Sequence, residues 1–543
     1  LATFAHAQDY ALLGDSCFQV KNYQAAAENY ELFLEKVESR SNIIAYRAAK
    51  SWSLLGNKEK ALVAVKKYVA NNYINRYHIF GDQLTKEPIF DLLKDDARWK
   101  EIIAGVFEKE ALYRQAEQKK VDSLVAYQAA LEKQGILHQL NFSGNVASVY
   151  HQLKTYSAYP KINRQLLSMQ FKFNDTLHNS FSVILPKDYD PKRKYPLLFF
   201  LHGAVKGNTR YTDYSDTRDT TGWNRFYTKY AAINKVIMVY PSGNRDYNWM
   251  FPDKGFYMIP GILTQIKNLI NVDDDKVFIS GHSNGATGSF SYAMKQPSPF
   301  TGFYGFNTRP EVLTGGTYIR NLLNRSFFNV STDQDYYYPP AAHDSLNKVM
   351  KELHADYQDH RYNGFPHWFP AFNASEPAYQ LLFADLIKRK RNAFQPNIQW
   401  ETDDTKYGRC DWINITSLDT LASLAPWQKA VNFKITKWVK LDKDDEAIVV
   451  DTVKNGFNYR KRSAAVKAHY ADNTFRISTS RVKSFKIYIS PDMVDMGKPI
   501  TVILNDKVYF KGKVSYDKNF LIKEFTDHLD RSAVWVNAID IHL

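Results

Sequence analysis

A chain of 543 residues is longer than one hydrophobic core supports, so about three domains are expected. Its 44% hydrophobic and 15% aromatic residues exclude a disordered chain, because there is apolar surface enough to offset the entropy of ordering. The formal net charge of +14 does not single out nucleic acid as a partner. Lys and Arg are spread along the chain beside Asp and Glu, and the one dense run, Lys388-Arg389-Lys390-Arg391, reads as a solvated helix terminus with its cations against the dipole.

In chain order, residues 1–8 read as a signal-peptide remnant. Ala5-His6-Ala7 has the small-x-small form of a cleavage site, with the cut after Ala7, and a secreted or periplasmic protein is expected. Residues 9–135 read as helices. Tyr23, Ala26 and Tyr30 recur as Lys58, Ala61 and Val65 at an offset of 35 residues (61 − 26), and Leu13-Gly14 corresponds to Ala48-Ala49. Small residues there let paired helices approach, and large ones fill the space between pairs. The segment resembles a short tetratricopeptide array, closed by Phe90, Leu93, Trp99 and Ile102, which would either offer a face to a protein partner or dock on the next domain.

From about 160 to 393 the pattern becomes strands alternating with helices. Strands are expected at Gln165–Phe173, Ser180–Leu185, Pro196–Leu201, Val236–Tyr240, Val277–Ser280 and Phe327–Val330, with Tyr357–Tyr362 strand-like. Helices are expected over Ile259–Ile270, Gly285–Lys295, Ala342–Leu353 and Ala378–Lys390. This alternation predicts a mostly parallel sheet covered on both faces. Residues 396–543 lose the helical signal, and short strands, including Thr501–Leu504 and Val508–Phe510 about an Asn505-Asp506-Lys507 turn, predict an all-β, sandwich-like domain. Trp400, Trp412, Trp427, Trp438 and Trp535 there suit either a sandwich core or a carbohydrate-stacking face. The two cysteines, Cys17 and Cys410, fall in different domains and imply no disulfide. No segment approaches the roughly 20 apolar residues of a membrane span.

The residues with the most chemical content are Gly281-His282-Ser283-Asn284-Gly285, between an expected strand and an expected helix. A nucleophile elbow needs this context, because the turn is tight enough to demand flanking glycines and lifts the hydroxyl to the sheet edge at a helix N-terminus. On these residues the segment 165–393 resembles the α/β-hydrolase superfamily, in particular exported serine esterases such as feruloyl esterases and polyhydroxybutyrate depolymerases. The resemblance implies an oxyanion hole after the early His202-Gly203 pair, made by backbone amides of Ala204 or Val205 with that of Asn284. It implies a substrate side at Tyr240-Pro241-Ser242-Gly243, with His202, Gly203, His282, Trp223 and Trp249 as the expected pocket wall.

The fold order Ser, then acid, then His places the acid at Asp335 or Asp333, with Asp335 favoured by Pro339 four residues on, and the base at His367 within Gly364-Phe365-Pro366-His367-Trp368. The elbow continues Ser-Asn-Gly-Ala where Ser-Met-Gly-Gly is frequent in that branch, so the wall beside Ser283 is more polar. No metal or cofactor is expected, since ligand spacing and a phosphate-binding glycine loop are absent. The expected activity is hydrolysis of a carboxylic ester, on a small molecule or a polysaccharide carrying acetyl or feruloyl groups. A peptidase of the same fold and a catalytically silent interaction protein are the alternatives.

Overall fold

A computed structural model describes residues 2–36, 42–70, 80–174, 178–205, 222–244, 247–250, 253–442, 447–459 and 461–543. The chain divides into two compact units, Leu1–Ser123 and Leu124–Leu543. The first is helical: Ala2–Gln19, Tyr23–Lys36, Asn42–Leu54, Lys58–Ala70 and Phe80–Lys86 precede the long helix Ala97–Glu132, which carries the chain into the second unit. The second helices of the two hairpins begin 35 residues apart (58 − 23). Ala26, Ala27, Ala45, Ala48, Ala49 and Ala61 are fully buried at the helix contacts, while Tyr30, Trp52, Tyr68, Phe90 and Trp99 fill the gaps between them. A Cβ on Gly14 would lie 2.5 Å from the Tyr30 ring, so the close approach of the first two helices needs glycine there.

In the second unit an eight-stranded sheet has the order β1-β2-β4-β3-β5-β6-β7-β8. The strands are β1 Leu166–Lys172, β2 His178–Ile184, β3 Tyr195–Leu201, β4 Ile237–Pro241, β5 Val272–Gly281, β6 Gly302–Phe306, β7 Ser326–Gln334 and β8 Tyr357–Pro366. β1 and β2 are antiparallel additions, and the other six run parallel. The apolar run of β3 sits at the centre with Leu197, Leu198, Phe199 and Leu201 inaccessible to solvent, as a strand covered on both faces requires.

One face is covered by Arg225–Asn234 and Glu376–Lys388, through Tyr227, Tyr230, Tyr379, Leu382 and Phe383. The other is covered by Met258–Lys267, Asn284–Lys295 and Pro340–Glu352, through Ile262, Ile266, Phe290 and Leu346. β6, short and with glycines at two of five positions, is the strand that hydrophobic patterning missed. No helix among the described residues is long and apolar enough to cross a membrane.

The C-terminal region is strand-rich. A four-stranded sheet runs β10-β11-β16-β19 (Arg409–Cys410, Ile413–Leu418, Val482–Ile489, Asn537–His542). A five-stranded one runs β18-β17-β15-β14-β9 (Lys507–Gly512, Ile500–Leu504, Thr474–Ser480, Ala464–Ala471, Asn397–Thr402). A separate hairpin pairs β12 Lys434–Leu441 with β13 Ala447–Asn455. Asn505 and Asp506, at φ 46° and 66°, make the turn between β17 and β18, the left-handed pair that a two-residue hairpin loop needs.

The region is not purely β. The helix Lys518–His528, capped by the Asp517 carboxylate on the Asn519 and Phe520 amides, buries Leu521 and Phe525 against Val149, Tyr150 and Leu153 of the helix Val146–Thr155. Residues 136–159, left between domains by the sequence pattern, thus supply side chains to the core of the C-terminal domain. Trp400, Trp412 and Trp535 lie in its core, which removes them from any sugar-stacking face.

Ion pairs run between the domain of the eight-stranded sheet and this domain. Asp274 of β5 takes Lys267 Nζ at 2.7 Å and Arg531 Nε at 2.8 Å, and Asp530 receives Arg391 through two bonds of 2.8 Å. Arg325 is bidentate to Asp411, and Lys295 meets Asp403 at 2.9 Å. The basic run 388–391 is therefore not simply a solvated terminus: Arg389 pairs with Asp356 and Asp385, and the Arg391 side chain is 1% exposed.

Candidate active site

Ser283 sits between β5 and the helix Asn284–Lys295 with φ 57° and ψ −120°. A non-glycine residue in that region is strained and persists only where its surroundings enforce it. Here they do: a Cβ on Gly281 would fall 2.3 Å from the Gly285 carbonyl carbon, and one on Gly285 would fall 1.8 Å from Leu201 O. Ser283 N donates to Phe306 O at 3.1 Å and Gly285 N to His282 O at 2.8 Å. The turn is fixed from both sides, and the Ser283 side chain faces a cavity of about 510 Å³.

His367, just beyond β8, lines the same cavity. Its Nδ1 lies 2.7 Å from Asp335 Oδ1. A carboxylate only accepts, so Nδ1 carries the proton and Nε2 is left as an acceptor. Asp335 is 1% exposed and has two further donors, Tyr337 N at 2.8 Å and Asn307 Nδ2 at 3.0 Å. Asp333 plays a different part. It is exposed and accepts from the amides of Gly364 (2.7 Å) and Phe365 (3.4 Å), capping the loop that delivers His367. Among the described residues the Ser283 hydroxyl has no hydrogen-bond partner, and catalytic bonds of this kind commonly tighten only with substrate bound.

His282 is buried, and its Nε2–H donates to the His367 carbonyl at 2.8 Å. Burial first, and the neighbouring His367 second, depress its pKa to about 3, so it is a neutral clamp on the His367 backbone. His202 is pinned in the same manner. Its Nδ1–H donates to Gly203 O at 2.7 Å, and its Nε2 accepts from Gly243 N at 3.0 Å, tying the His-Gly loop to the Tyr240–Gly243 loop.

A Cβ on Gly203 would stand 3.1 Å from Ser283 Cβ, so this loop passes directly over Ser283. Ala204, at φ 56°, lines the cavity. The Val205 side chain turns into the core. The amides of Ala204 and Asn284 are not spent on hydrogen bonds among the described residues, and Asn284 opens the helix, where donors and dipole favour negative charge. The Asn284 side-chain amide donates to Tyr337 Oη at 2.7 Å, which ties down the elbow.

Of the two tryptophans expected in the pocket, Trp223 lines the cavity, 43% exposed and 5.2 Å from the His282 ring. Trp249 does not. It is fully buried between Gly243 and Gly288, whose Cβ positions would lie 2.7 and 2.5 Å from its ring, and it meets His202 edge-on.

The structure also adds residues the motifs did not reveal. Tyr336, Tyr337, Tyr227, Tyr379, Phe200 and Phe306 supply the aromatic wall, and Asn307 holds both Asp335 and Thr332. Tyr336-Tyr337-Tyr338 directly after the acid was the one visible sign. Asn307 lies on the loop after the missed strand β6 and had none. No group of three or more His, Cys, Asp or Glu able to hold a metal ion occurs among the described residues.

Residues 178–269 match the family described as "Putative esterase". No curated protein matches. Solved structures similar to this chain include a thermostable esterase (22% identity, TM-score 0.34), where the likeness covers 42% of this chain and 64% of the other, so the chain spans under two thirds of that protein. They also include a ferulic acid esterase (16%, TM-score 0.33, covering 40% and 97%). The S-formylglutathione hydrolase FrmB of Staphylococcus aureus is similar at 15% identity and TM-score 0.32, covering 41% and 100%.

Proposed function

Taking the central domain as an α/β-hydrolase of the esterase type, we propose that it hydrolyses carboxylic esters through an acyl-enzyme on Ser283. The observation that carries this reading is one cavity receiving a serine on an enforced positive-φ turn and a histidine whose far nitrogen is held by a buried carboxylate. Ser283 Oγ attacks the ester carbonyl while its proton passes to His367 Nε2, and Asp335 steadies the imidazolium. The carbonyl oxygen gains charge toward the amides of Ala204 and Asn284, each such donor lowering the barrier by roughly 2.7–4 kcal/mol. His367 then protonates the departing alkoxide, and water activated by the same nitrogen releases the acid.

A cavity of about 510 Å³ walled by Trp223, Tyr336, Tyr337 and Tyr379 suits a planar or small acyl group. The substrate assigned is a carbohydrate-linked acetyl or feruloyl ester. The Ala5-His6-Ala7 site supports export, and the tetratricopeptide-like pairs support a protein partner for the helical unit.

Incubation of wild type and Ser283→Ala with a fluorophosphonate, with the adduct located by mass, tests the nucleophile. Labelling at Ser283 that is absent from the variant is expected, and an unlabelled wild type overturns the reading. Turnover of p-nitrophenyl acetate but not of an aminopeptide anilide separates esterase from peptidase.

A further inference from the structure

The hairpin β12–β13 belongs to neither sheet of the C-terminal domain, and an isolated two-stranded ribbon is marginally stable alone. Its anchor is on the hydrolase. Ile435 packs with Tyr338 and Ala342, and the Trp438 ring meets Tyr338 edge-on at 5.9 Å, three residues after Asp335.

The hairpin also brings cations together. Lys454 Nζ lies 3.0 Å from the Trp438 ring centroid and the Arg309 guanidinium 5.3 Å from it. Lys440, two residues from Trp438, lies on the same face of the ribbon. Among the described residues the carboxylate in contact with these cations is Glu311, which pairs with Arg309 at 2.7 Å and also accepts from Asn458. Among the described residues Lys454 has no carboxylate partner, and its pKa is pushed down to about 8 by burial and then by Arg309.

This corner is linked to one wall of the cleft through the buried Thr287. Arg309 N donates to Thr287 Oγ1 at 3.3 Å, and Thr287 lies 3.4 Å from Tyr337 Oη in the cavity wall. Thr287 is four residues after Ser283, roughly 6 Å along the helix. Holding like charges together beside an active site gains the fold nothing, and an arriving anion relieves the repulsion.

We propose that Arg309, Lys440 and Lys454, gathered around Trp438, form a subsite for an anionic group carried by the ester substrate, so that the C-terminal domain selects acidic saccharide esters. The proposal rests on the ester-hydrolase reading. A carboxylate and a sulfate share the required charge. If the cations merely fasten the hairpin through the Trp438 ring, their loss lowers stability without altering selectivity.

The test is inhibition of p-nitrophenyl acetate hydrolysis by trigalacturonate, by a sulfated disaccharide and by neutral xylotriose, on wild type and on Lys440→Met/Lys454→Met, whose side chains keep the apolar stems. At least one anionic saccharide is expected to inhibit wild type more strongly than xylotriose. The double variant is expected to weaken that inhibition about tenfold while kcat/KM on p-nitrophenyl acetate stays within about twofold. Inhibition no stronger than that by xylotriose, or an unchanged inhibition constant in the variant, overturns the subsite. Should wild type turn over no ester, the catalytic reading falls by itself. Calorimetric titration of Ser283→Ala with the two anions then decides the subsite without turnover, binding that the two Lys→Met changes abolish supporting it and no binding overturning it.

Discussion

The cleft and the joint between the central α/β domain and the C-terminal domain both depend on polar groups, yet they are built from opposite materials. Among its described residues the cleft wall holds no Lys, Arg, Asp or Glu; its polar groups are hydroxyls, amides and imidazoles, with Asp335 behind His367. The joint is made of full charges, Lys267, Asp274, Arg391, Asp530 and Arg531, each matched to a partner. A buried pair is costly to desolvate and costlier to break, so it fixes one arrangement. A neutral wall with aimed dipoles leaves room for charge that appears only during reaction. The molecule uses paired ions for cohesion and hydroxyl, amide and imidazole dipoles in its cleft.

The largest expected effect strikes the cleft. Asp335→Asn keeps the shape but lets His367 adopt the wrong tautomer, and kcat on p-nitrophenyl acetate should fall about ten-thousand-fold with stability little changed. A loss under tenfold would take Asp335 out of the machinery.

At the joint, Asp530→Ala strips Arg391 of its bidentate partner and should cost about 3–5 kcal/mol in unfolding free energy. The Asp530→Ala/Arg391→Met double change should recover part of that, which a denaturation double-mutant cycle reads directly.

His282 gives a pH test within the cleft. Its folded pKa of about 3 lies below the ordinary 6.5, so the unfolded chain binds the extra proton. Stability is then full above pH 6.5 and declines as pH falls toward 3, by on the order of a few kcal/mol. His282→Gln, which keeps a donor for the His367 carbonyl, should flatten that part of the melting-temperature profile.

The smallest effect is Tyr337→Phe. Loss of the Asn284 bond should lower kcat several-fold, about 1 kcal/mol, with KM held.

Local chemistry is what the sequence made legible. The elbow could be read because its glycines are forced by contacts a few residues away, and Asp335 and His367 follow their strands in the order such a sheet imposes. Trp249 could not be placed, because whether an indole faces a cavity or a pair of glycines depends on Gly243 and Gly288 from separate elements. Asn307 was invisible, and the bond made by Tyr337 unreadable, for a similar reason: each acts on a residue more than 25 positions distant. The helix Lys518–His528 has a readable Asp517 cap, but its apolar face acquires meaning only from Val149 and Leu153, far earlier in the chain. β6 escaped because glycine at Gly302 and Gly305 dilutes the apolar run.

The Arg531–Asp274 contact spans 257 residues. During synthesis Asp274 and Lys267 emerge long before the arginine that completes their cluster. At about 5–20 residues per second the interval is on the order of 10–50 s. The nascent central domain therefore passes through a stage in which Asp274, near the start of β5, holds Lys267 but lacks its second cation, and its final consolidation waits on residues made long after its own strands are complete.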